Sequence, residues 1–347
     1  MGRREKLLLG AAGLAAAVWL AGCKTSVGNA ITEPNEEGVY TIRLTSPTYS
    51  GEATHEGIEK FKELAEEYSG GRLEIKHYDS TQLGSDRDTA EQVQQGALEA
   101  ACCSSSNFVS IVPAFYALEL PYVTSKDKIE PFNESLDNGE LGAFFEEMLN
   151  EAGFQPVMYN MFGYRVFYTN EGAPFTGVDS FQGIKLRTTE SPVEMATVQA
   201  LGAFAMPLAW ADTITAIEQN TVNGWGTTDS YAKNCGAYEI VNNAIDSEHC
   251  LSLQIVVMNK EYYDSLPEDL QEIVTRAGKE ATVYEREYEA QMAEQDRETM
   301  KELGINYYVL SDEEREQMKE ITRSTWDELM DTEDKRRALE LILETQQ

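Results

Sequence analysis

Residues 39–78 read VYTIRLTSPTYSGEATHEGIEKFKELAEEYSGGRLEIKHY and change periodicity twice along their length. Residues 39–45 alternate between apolar and polar side chains, which is typical of a strand. Apolar side chains then recur every three or four positions over 52–68, which indicates a helix that two glycines end. Residues 72–78 alternate again and predict a second strand. This segment therefore has the order strand, helix, strand.

Two further elements extend the same order. Residues 86–95 predict a helix stopped by Gly96, and the short apolar run 98–103 suits a buried strand. Alternation of strands and helices is the pattern of a parallel sheet covered by helices on both faces. The sequence therefore predicts an α/β fold.

A second set of α/β elements follows from residue 155 and predicts a second lobe. It comprises helices at 191–201 and 211–219 and strands at 156–160, 164–170, 184–188, 203–206, 222–225 and 251–259.

One apolar stripe then continues from Pro267 to about residue 301, which predicts a single long helix. Its length is roughly 50 Å at 1.5 Å per residue. Such a helix is longer than one lobe is wide, so we expect it to run along both lobes. A strand at 305–310 and a helix that begins at Ser311 follow.

The start of the chain has the pattern of an export signal. Three basic residues precede an apolar run at 7–20, which is shorter than the roughly 20 residues that a membrane span needs. The run ends in the sequence LAGC, which resembles a bacterial lipobox whose cysteine is Cys23. We expect residues 1–22 to be a lipoprotein signal peptide and Cys23 to carry a lipid. The alternative is an ordinary signal peptide with a chance cysteine.

Residues 23–38 are small, polar and charged, which predicts a flexible tether between the lipid and the folded part. The tether and the lipid would hold the chain on the extracytoplasmic face of the membrane.

The charge of the chain restricts its partners. The sequence has 28 Lys and Arg against 60 Asp and Glu, a formal net charge of −32. This balance argues against binding to nucleic acid or to anionic lipid headgroups. It also repels an anionic ligand, so a site for one must carry its own local positive charge. Each arginine in a predicted cleft is therefore informative.

The cysteines predict no metal or redox centre, and we expect no metal or cofactor. Besides Cys23 the chain has Cys102, Cys103, Cys235 and Cys250, and none of them forms a C-x-x-C pair. Adjacent cysteines in an apolar run are usually buried small side chains. A disulfide between Cys235 and Cys250 stays an open alternative for an exported chain.

Nine segments in order carry a family resemblance. The chain resembles the substrate-binding subunits of TRAP (tripartite ATP-independent periplasmic) transporters of the DctP type, from about residue 39 to 330. The segments are GGRLEI at 70–75, QLGSDRD at 82–88, VQQGALEA at 93–100, LELPYV at 118–123, GYRVFYTN at 163–170, FQGIKLRTTESP at 181–192, ALGAFAMPLAW at 200–210, AIEQNTVNG at 216–224 and LPEDLQEIV at 266–274.

The resemblance implies a two-lobed periplasmic-binding-protein-like fold with a hinge, crossing strands and a long helix shared by both lobes. Lobe I would comprise 39–162 plus about 253–292, and lobe II 163–252 plus about 293–347. It implies a protein that captures a small organic acid and delivers it to the small and large integral membrane subunits of the transporter.

Two arginines are the central site residues that the resemblance implies. Arg187 matches the arginine that holds the ligand carboxylate in the family, and Arg165 matches a second arginine that often reaches it. A guanidinium suits this role because its planar fork donates two parallel hydrogen bonds and stays charged. The alternative for Arg187 is a pairing with a surface glutamate, and for Arg165 a structural pairing near the hinge.

The resemblance implies six further ligand-binding side chains: Ser104, Asn107, Trp210, Thr227, Asp86 and Arg87. The alternatives are that Ser104 and Asn107 satisfy backbone groups, that Trp210 packs in the core and that Asp86 caps a helix.

Two departures from the family pattern put the ligand, but not the fold, in doubt. Members that bind a bulky sugar acid carry a glutamate where Ser104 stands, which makes that ligand less expected here. Thr227 replaces a common asparagine, and VNGWG at 222–226 replaces the usual acidic VDG-x-E run.

Other functions have weaker support in the sequence. We expect no enzyme, because the chain lacks the G-x-S-x-G, H-E-x-x-H, P-loop and dinucleotide-binding motifs. A carboxylate-binding lipoprotein that serves a sensor or another class of transporter remains an alternative, since its cleft would look the same.

Overall fold

The computed structural model describes residues 33–347, so the predicted signal peptide and Cys23 lie outside the described residues. The strands are β1 (Tyr40–Thr45), β2 (Leu73–Tyr78), β3 (Ala100–Ser104), β4 (Phe154–Thr169), β5 (Lys185–Thr188), β6 (Phe204–Pro207), β7 (Gly224–Thr227), β8 (Asn243–Asn259) and β9 (Asn306–Tyr308).

The helices are α1 (Ala53–Tyr68), α2 (Asp86–Gln94), α3 (Ser105–Phe108), α4 (Ile129–Asn138), α5 (Glu140–Glu151), α6 (Pro192–Ala200), α7 (Trp210–Glu218), α8 (Asp229–Asn234), α9 (Lys260–Ser265), α10 (Glu268–Glu302), α11 (Asp312–Thr322), α12 (Ser324–Leu329) and α13 (Glu333–Glu344). Short 3₁₀ turns occupy Pro113–Ala117, Lys126–Lys128, Val178–Phe181 and Ala237–Glu239.

The strands form one mixed sheet in the order β2-β1-β3-β8-β4-β7-β5-β6, with β9 beside β8. At one side β1 pairs in parallel with β2 and β3, and at the other β5 pairs in parallel with β6 and β7. The long strands β4 and β8 are antiparallel and join the two parallel groups. The predicted α/β class with crossing strands is therefore confirmed.

Strand β4 is continuous where the sequence predicts two strands. It pairs with β8 from Phe154 opposite Asn259 to Thr169 opposite Asn243, with irregularities that include one between Met161 and Gly163. Gly163 has a φ of +101°, a conformation that side chains rarely adopt. The glycine therefore bends the strand without ending it, which is the usual effect of a bulge.

Helix α10 spans 35 residues and confirms the predicted long helix. Its first half buries apolar side chains such as Leu270 against α1, and Met300 near its end packs with Tyr168 under β7. A Cβ atom at Gly278 would lie 2.3 Å from the carbonyl oxygen of Val157 in β4. Only glycine therefore allows the helix to lie this close to the crossing strand.

The C-terminal helix packs against lobe I and corrects the predicted boundary. Leu341 and Ile342 of α13 share one buried cluster with Phe115 and Phe145, which belong to the first half of the chain. The apolar stripe of α13 indicates that it is amphipathic but not which surface it covers. The predicted extension of lobe II to residue 347 is therefore wrong for this helix.

All four cysteines among the described residues are free, so the alternative of a Cys235–Cys250 disulfide is wrong. Burial raises the pKa of Cys235 to about 12 and that of Cys102, Cys103 and Cys250 well above the usual value, because a thiolate is poorly solvated in an apolar interior. Within residues 33–347 no helix is long and apolar enough to cross a membrane.

Candidate functional site

A narrow cavity lies where strands of both parallel groups end against the crossing strands. The cavity has a volume of about 40 Å³ open to the centres of water molecules, which is room for a few of them. Seven predicted site residues line it, namely Asp86, Ser104, Asn107, Arg165, Arg187, Trp210 and Thr227. The carboxyl ends of strands are the usual ligand position in open α/β sheets.

Arg187 lies in β5 and is 5% exposed. Its Nε donates a hydrogen bond to the carbonyl oxygen of Leu208 at 2.9 Å. Within the described part of the chain its terminal nitrogens have no hydrogen-bond partner, and the guanidinium has no ion pair. Burial lowers the pKa of Arg187, and the charge of Arg165 lowers it further. The two terminal nitrogens of this buried cation are thus available to bind a ligand.

Arg165 of β4 donates hydrogen bonds to both neighbouring strands, β7 and β8. Its Nη1 donates to the carbonyl oxygen of Gly226 at 2.9 Å, and its Nη2 to Ser252 Oγ at 3.2 Å. The guanidinium carbon lies 5.4 Å from the ring centre of Phe162. Its Nε is buried and has no hydrogen-bond partner among the described residues. A buried donor of this kind carries a desolvation cost that an anionic ligand would offset.

The buried acids near the two arginines are held by other groups. Glu119 accepts a hydrogen bond from Ser105 Oγ at 2.5 Å, and Glu194 accepts one from the backbone N–H of Thr189 at 2.8 Å. Burial raises the pKa of Glu119 to about 7, although the charge of Arg165 opposes the shift. The cavity therefore carries a local positive charge inside a strongly acidic protein.

Hydroxyl and amide groups form the wall contributed by lobe I. The Nδ2 group of Asn107 donates to Asp86 Oδ2 at 3.1 Å and to Ser104 Oγ at 2.9 Å. Asp86 Oδ2 also accepts from the backbone N–H of Ser104 at 2.9 Å. Asp86 does not cap α2, because Ser85 occupies the N-cap position and accepts from the N–H of Asp88. The carboxylate of Asp86 thus orients two polar neighbours.

Aromatic rings form the wall contributed by lobe II. The ring of Trp210 lies 4.9 Å from that of Tyr231 and 6.0 Å from that of Trp225, between centres. Trp210 Nε1 donates to the hydroxyl of Tyr49 at 3.1 Å. The guanidinium carbon of Arg187 lies 6.0 Å from the ring centre of Trp210. The rings hold the arginine in place and leave a narrow space beside it.

Arg87 is the predicted site residue that the structure does not bring into the cavity. It is about half exposed and pairs with Glu91 at 3.1 Å and with Glu190. Successive helical residues point about 100° apart, so Arg87 leaves the face that carries Asp86. Its predicted role in positioning the ligand is corrected to a surface ion pair.

The sequence analysis missed five residues that line the cavity, and two of them, Gln254 and Thr189, could have been found from the sequence. They are Pro47, Phe162, Thr189, Gly226 and Gln254, and the lining also includes Trp225 and Tyr231. Gln254 is a polar residue in the apolar strand β8, which marks a position that faces something other than the core. Thr189 follows Arg187 by two positions, and alternation along a strand puts both on one side.

Comparisons with known proteins agree on one family. The family described as bacterial extracellular solute-binding protein, family 7, matches residues 46–333. The C4-dicarboxylate-binding periplasmic protein DctP of Rhodobacter capsulatus is 28% identical over 275 residues, 79% of each chain. The 2,3-diketo-L-gulonate-binding periplasmic protein YiaO of Escherichia coli is 25% identical over 265 residues, 76% of this chain and 80% of the relative.

The fold is also that of a solved structure. A TRAP periplasmic solute-binding protein of Desulfovibrio salexigens, solved with orotic acid, has a TM-score of 0.83 at 23% identity and covers 88% of this chain and 98% of its own.

The buried carboxyl of Glu119 should make stability depend on pH. Its folded pKa of about 7 exceeds the ordinary value near 4.3, so the folded state binds more protons between these two values. The free energy of unfolding should therefore fall by at most about 1.4 kcal/mol per pH unit as the pH rises through this window. Urea unfolding at pH 5 to 8 should show that Glu119→Gln removes this part of the slope.

Glu313→Gln serves as the control, because Glu313 is an exposed carboxylate in α11. It should keep the wild-type slope. Parallel pH profiles of wild type and Glu119→Gln would contradict the argument.

Proposed function

Because this chain belongs to the bacterial extracellular solute-binding proteins of family 7, we propose that it captures a small organic acid and delivers it to a TRAP-type secondary transporter. The observation that carries the proposal is the buried guanidinium of Arg187, whose fork has no partner among the described residues. The similar proteins described above are named for a dicarboxylate and a sugar acid or were solved with orotic acid. All three are acids.

Capture begins with the two arginines. The ligand carboxylate accepts from the two terminal nitrogens of Arg187 and from the Nε of Arg165. Burial lowers the pKa of Arg187, and repulsion from the buried guanidinium of Arg165 lowers it further. A bound carboxylate reverses this repulsion, because each cation then faces an anion in a medium of low dielectric. The arginine pair thus selects an anion that the net charge of the protein would otherwise repel.

The opposite wall recognises the rest of the ligand. Of the lining residues, Ser104 and Asn107 fall in the predicted lobe I, and Arg187, Trp210 and Thr227 in the predicted lobe II. A ligand held by both sets of side chains favours the closed arrangement of the lobes, which is the usual hinge motion of periplasmic binding proteins. The narrow cavity and its aromatic wall favour a small or flat acid.

We also propose that Cys23 carries the lipid that keeps the protein at the extracytoplasmic face of the membrane. The support is the LAGC sequence after the apolar run and the polar tether that follows it. Cys23→Ala should move the protein from the membrane fraction to the soluble fraction, since a single lipidated cysteine would be its anchor. Equal membrane association of variant and wild type would contradict the anchor.

The ligand class can be tested without knowing the acid. Mass spectrometry of the ligand released from purified protein should detect a carboxylate, and a library of organic acids should raise the melting temperature. Free ligand at a hundredfold excess over Kd stabilises the folded state by about 2.7 kcal/mol. Amide or alcohol analogues of the active acid should have no effect. Stabilisation by neutral sugars or amines instead would reject the proposal.

The role of Arg187 can be tested by one matched pair of variants. Arg187→Gln should weaken binding of that acid by about 3–5 kcal/mol, roughly two to nearly four decades in Kd, because it leaves a buried carboxylate unpaired. Arg87→Gln removes an equal charge from the surface near the cavity and should change Kd less than about fivefold. Calorimetric titration measures both. A loss below tenfold in Arg187→Gln would reject the arginine–carboxylate pair.

A further inference from the structure

Three side chains of types that can ligate a metal lie close together on α1 and β2, outside the cavity. His55 and Glu59 stand four residues apart in α1, so they share one face of the helix. His77 lies near the end of the adjacent strand β2. One donor atom from each of the three side chains lies within 4.8 Å of the other two, and the imidazole centres are 5.1 Å apart. None of the three residues lines the ligand cavity.

The ring of His77 is held in the orientation that a metal ligand needs. Its Nδ1 lies 2.7 Å from Glu59 Oε1, and its Nε2 lies 2.8 Å from Ser46 Oγ. A metal-binding imidazole commonly uses one nitrogen for the ion and donates a hydrogen bond with the other. The hydroxyl of Ser46 can accept that bond and leave Nδ1 for an ion shared with Glu59.

The ring of His55 has an unsatisfied nitrogen. Its Nδ1 is buried and forms no hydrogen bond with a described residue, and its nearest charged neighbour is Glu56 Oε1 at 3.4 Å. Its Nε2 lies 3.4 Å from Asp79 Oδ2, which supplies a second carboxylate beside the imidazoles. The side chains of His55 and His77 are 12% and 4% exposed, whereas those of Glu59 and Asp79 are 42% and 32% exposed. The imidazoles are thus enclosed, and the carboxylates leave a path from solvent.

We propose that His55, Glu59 and His77 form a binding site for Zn²⁺, with Asp79 as the fourth ligand. Two imidazoles and two carboxylates match the donors and the charge that Zn²⁺ prefers, whereas Ca²⁺ and Mg²⁺ prefer oxygen ligands alone. Donor atoms at about 2.0–2.2 Å from a tetrahedral ion lie roughly 3.4 Å apart. Side-chain rotations that bring the donors of His55, Glu59 and His77 closer than the present 4.8 Å, and Asp79 towards them, would close the site. The acidic surface also concentrates divalent cations.

The bound ion would join α1 to the end of β2. The same site contacts Ser46, and the next residue, Pro47, lines the ligand cavity. Zinc would therefore stabilise the folded first lobe and the edge of the cavity that this lobe provides.

The three histidines of the chain allow a direct test by NMR. His249 is an internal control, because its ring is buried and stacks 4.2 Å from that of Phe167. When ZnCl₂ is added to metal-free purified protein, the imidazole signals of His55 and His77 should shift together and saturate at one equivalent. Those of His249 should not move. No saturable shift, or equal shifts at all three rings, would reject the site.

Variants provide an independent readout by calorimetric titration with ZnCl₂. His77→Gln and Glu59→Gln should each weaken zinc binding by at least about 10- to 100-fold, because each removes a ligand and loss of a group that only supports a ligand already costs that much. Glu63→Gln removes the same charge one turn later, from a side chain that is 61% exposed, and should bind like wild type. Cys235→Ser should also match wild type. Unchanged affinity in His77→Gln, or equal losses in Glu59→Gln and Glu63→Gln, would reject the proposal.

Discussion

Two guanidiniums share one buried cavity, and within the described residues neither has a carboxylate as an ion-pair partner. Burying one such charge is costly, and two like charges increase the cost. Part of this cost is offset by neutral partners. Arg165 donates hydrogen bonds to oxygens of β7 and β8, and Arg187 contacts a carbonyl oxygen and an aromatic ring. Part of the hydrogen-bonding capacity of both guanidiniums stays unused among the described residues.

The sheet explains how these arginines meet. Arg165 lies in the crossing strand β4, and Arg187 lies in β5, separated from it by β7 alone. The irregularities in β4 change which side chains face the cavity, since one extra residue reverses the alternation of a strand. Gly163 therefore acts close to the site although it contributes no side chain. Helix α10 packs beneath both groups of strands and fixes their distance along its axis.

The sequence reveals those parts of this arrangement that depend on neighbours along the chain. Helices α1, α2 and α10 follow from periodicity and caps, because these signals are local. The continuity of β4 does not, because a glycine that bends a strand looks like a glycine that ends one. The surface that α13 covers cannot be predicted for another reason. An apolar stripe shows that a helix packs on one side, but it does not show which part of the fold it packs against.

The site residues, like the fold, could be predicted where the sequence signal is local and not where it depends on contacts between distant segments. The family pattern locates Arg187 and Ser104 because their segments are distinctive. It groups Arg87 with Asp86, although one helical step turns their side chains in different directions. Whether Cys235 meets Cys250 depends on distance in space, which a spacing of fifteen positions along the chain does not encode. Gln254 could have been identified by its polarity within an apolar strand.

The return of α13 to the first lobe affects the order of synthesis. Phe115 and Phe145 emerge from the ribosome long before the helix that covers them. The first lobe cannot bury this surface until α13 has been made, since these contacts join segments that are distant in sequence. A lobe whose core is completed by a distant helix leaves apolar side chains exposed for longer during synthesis.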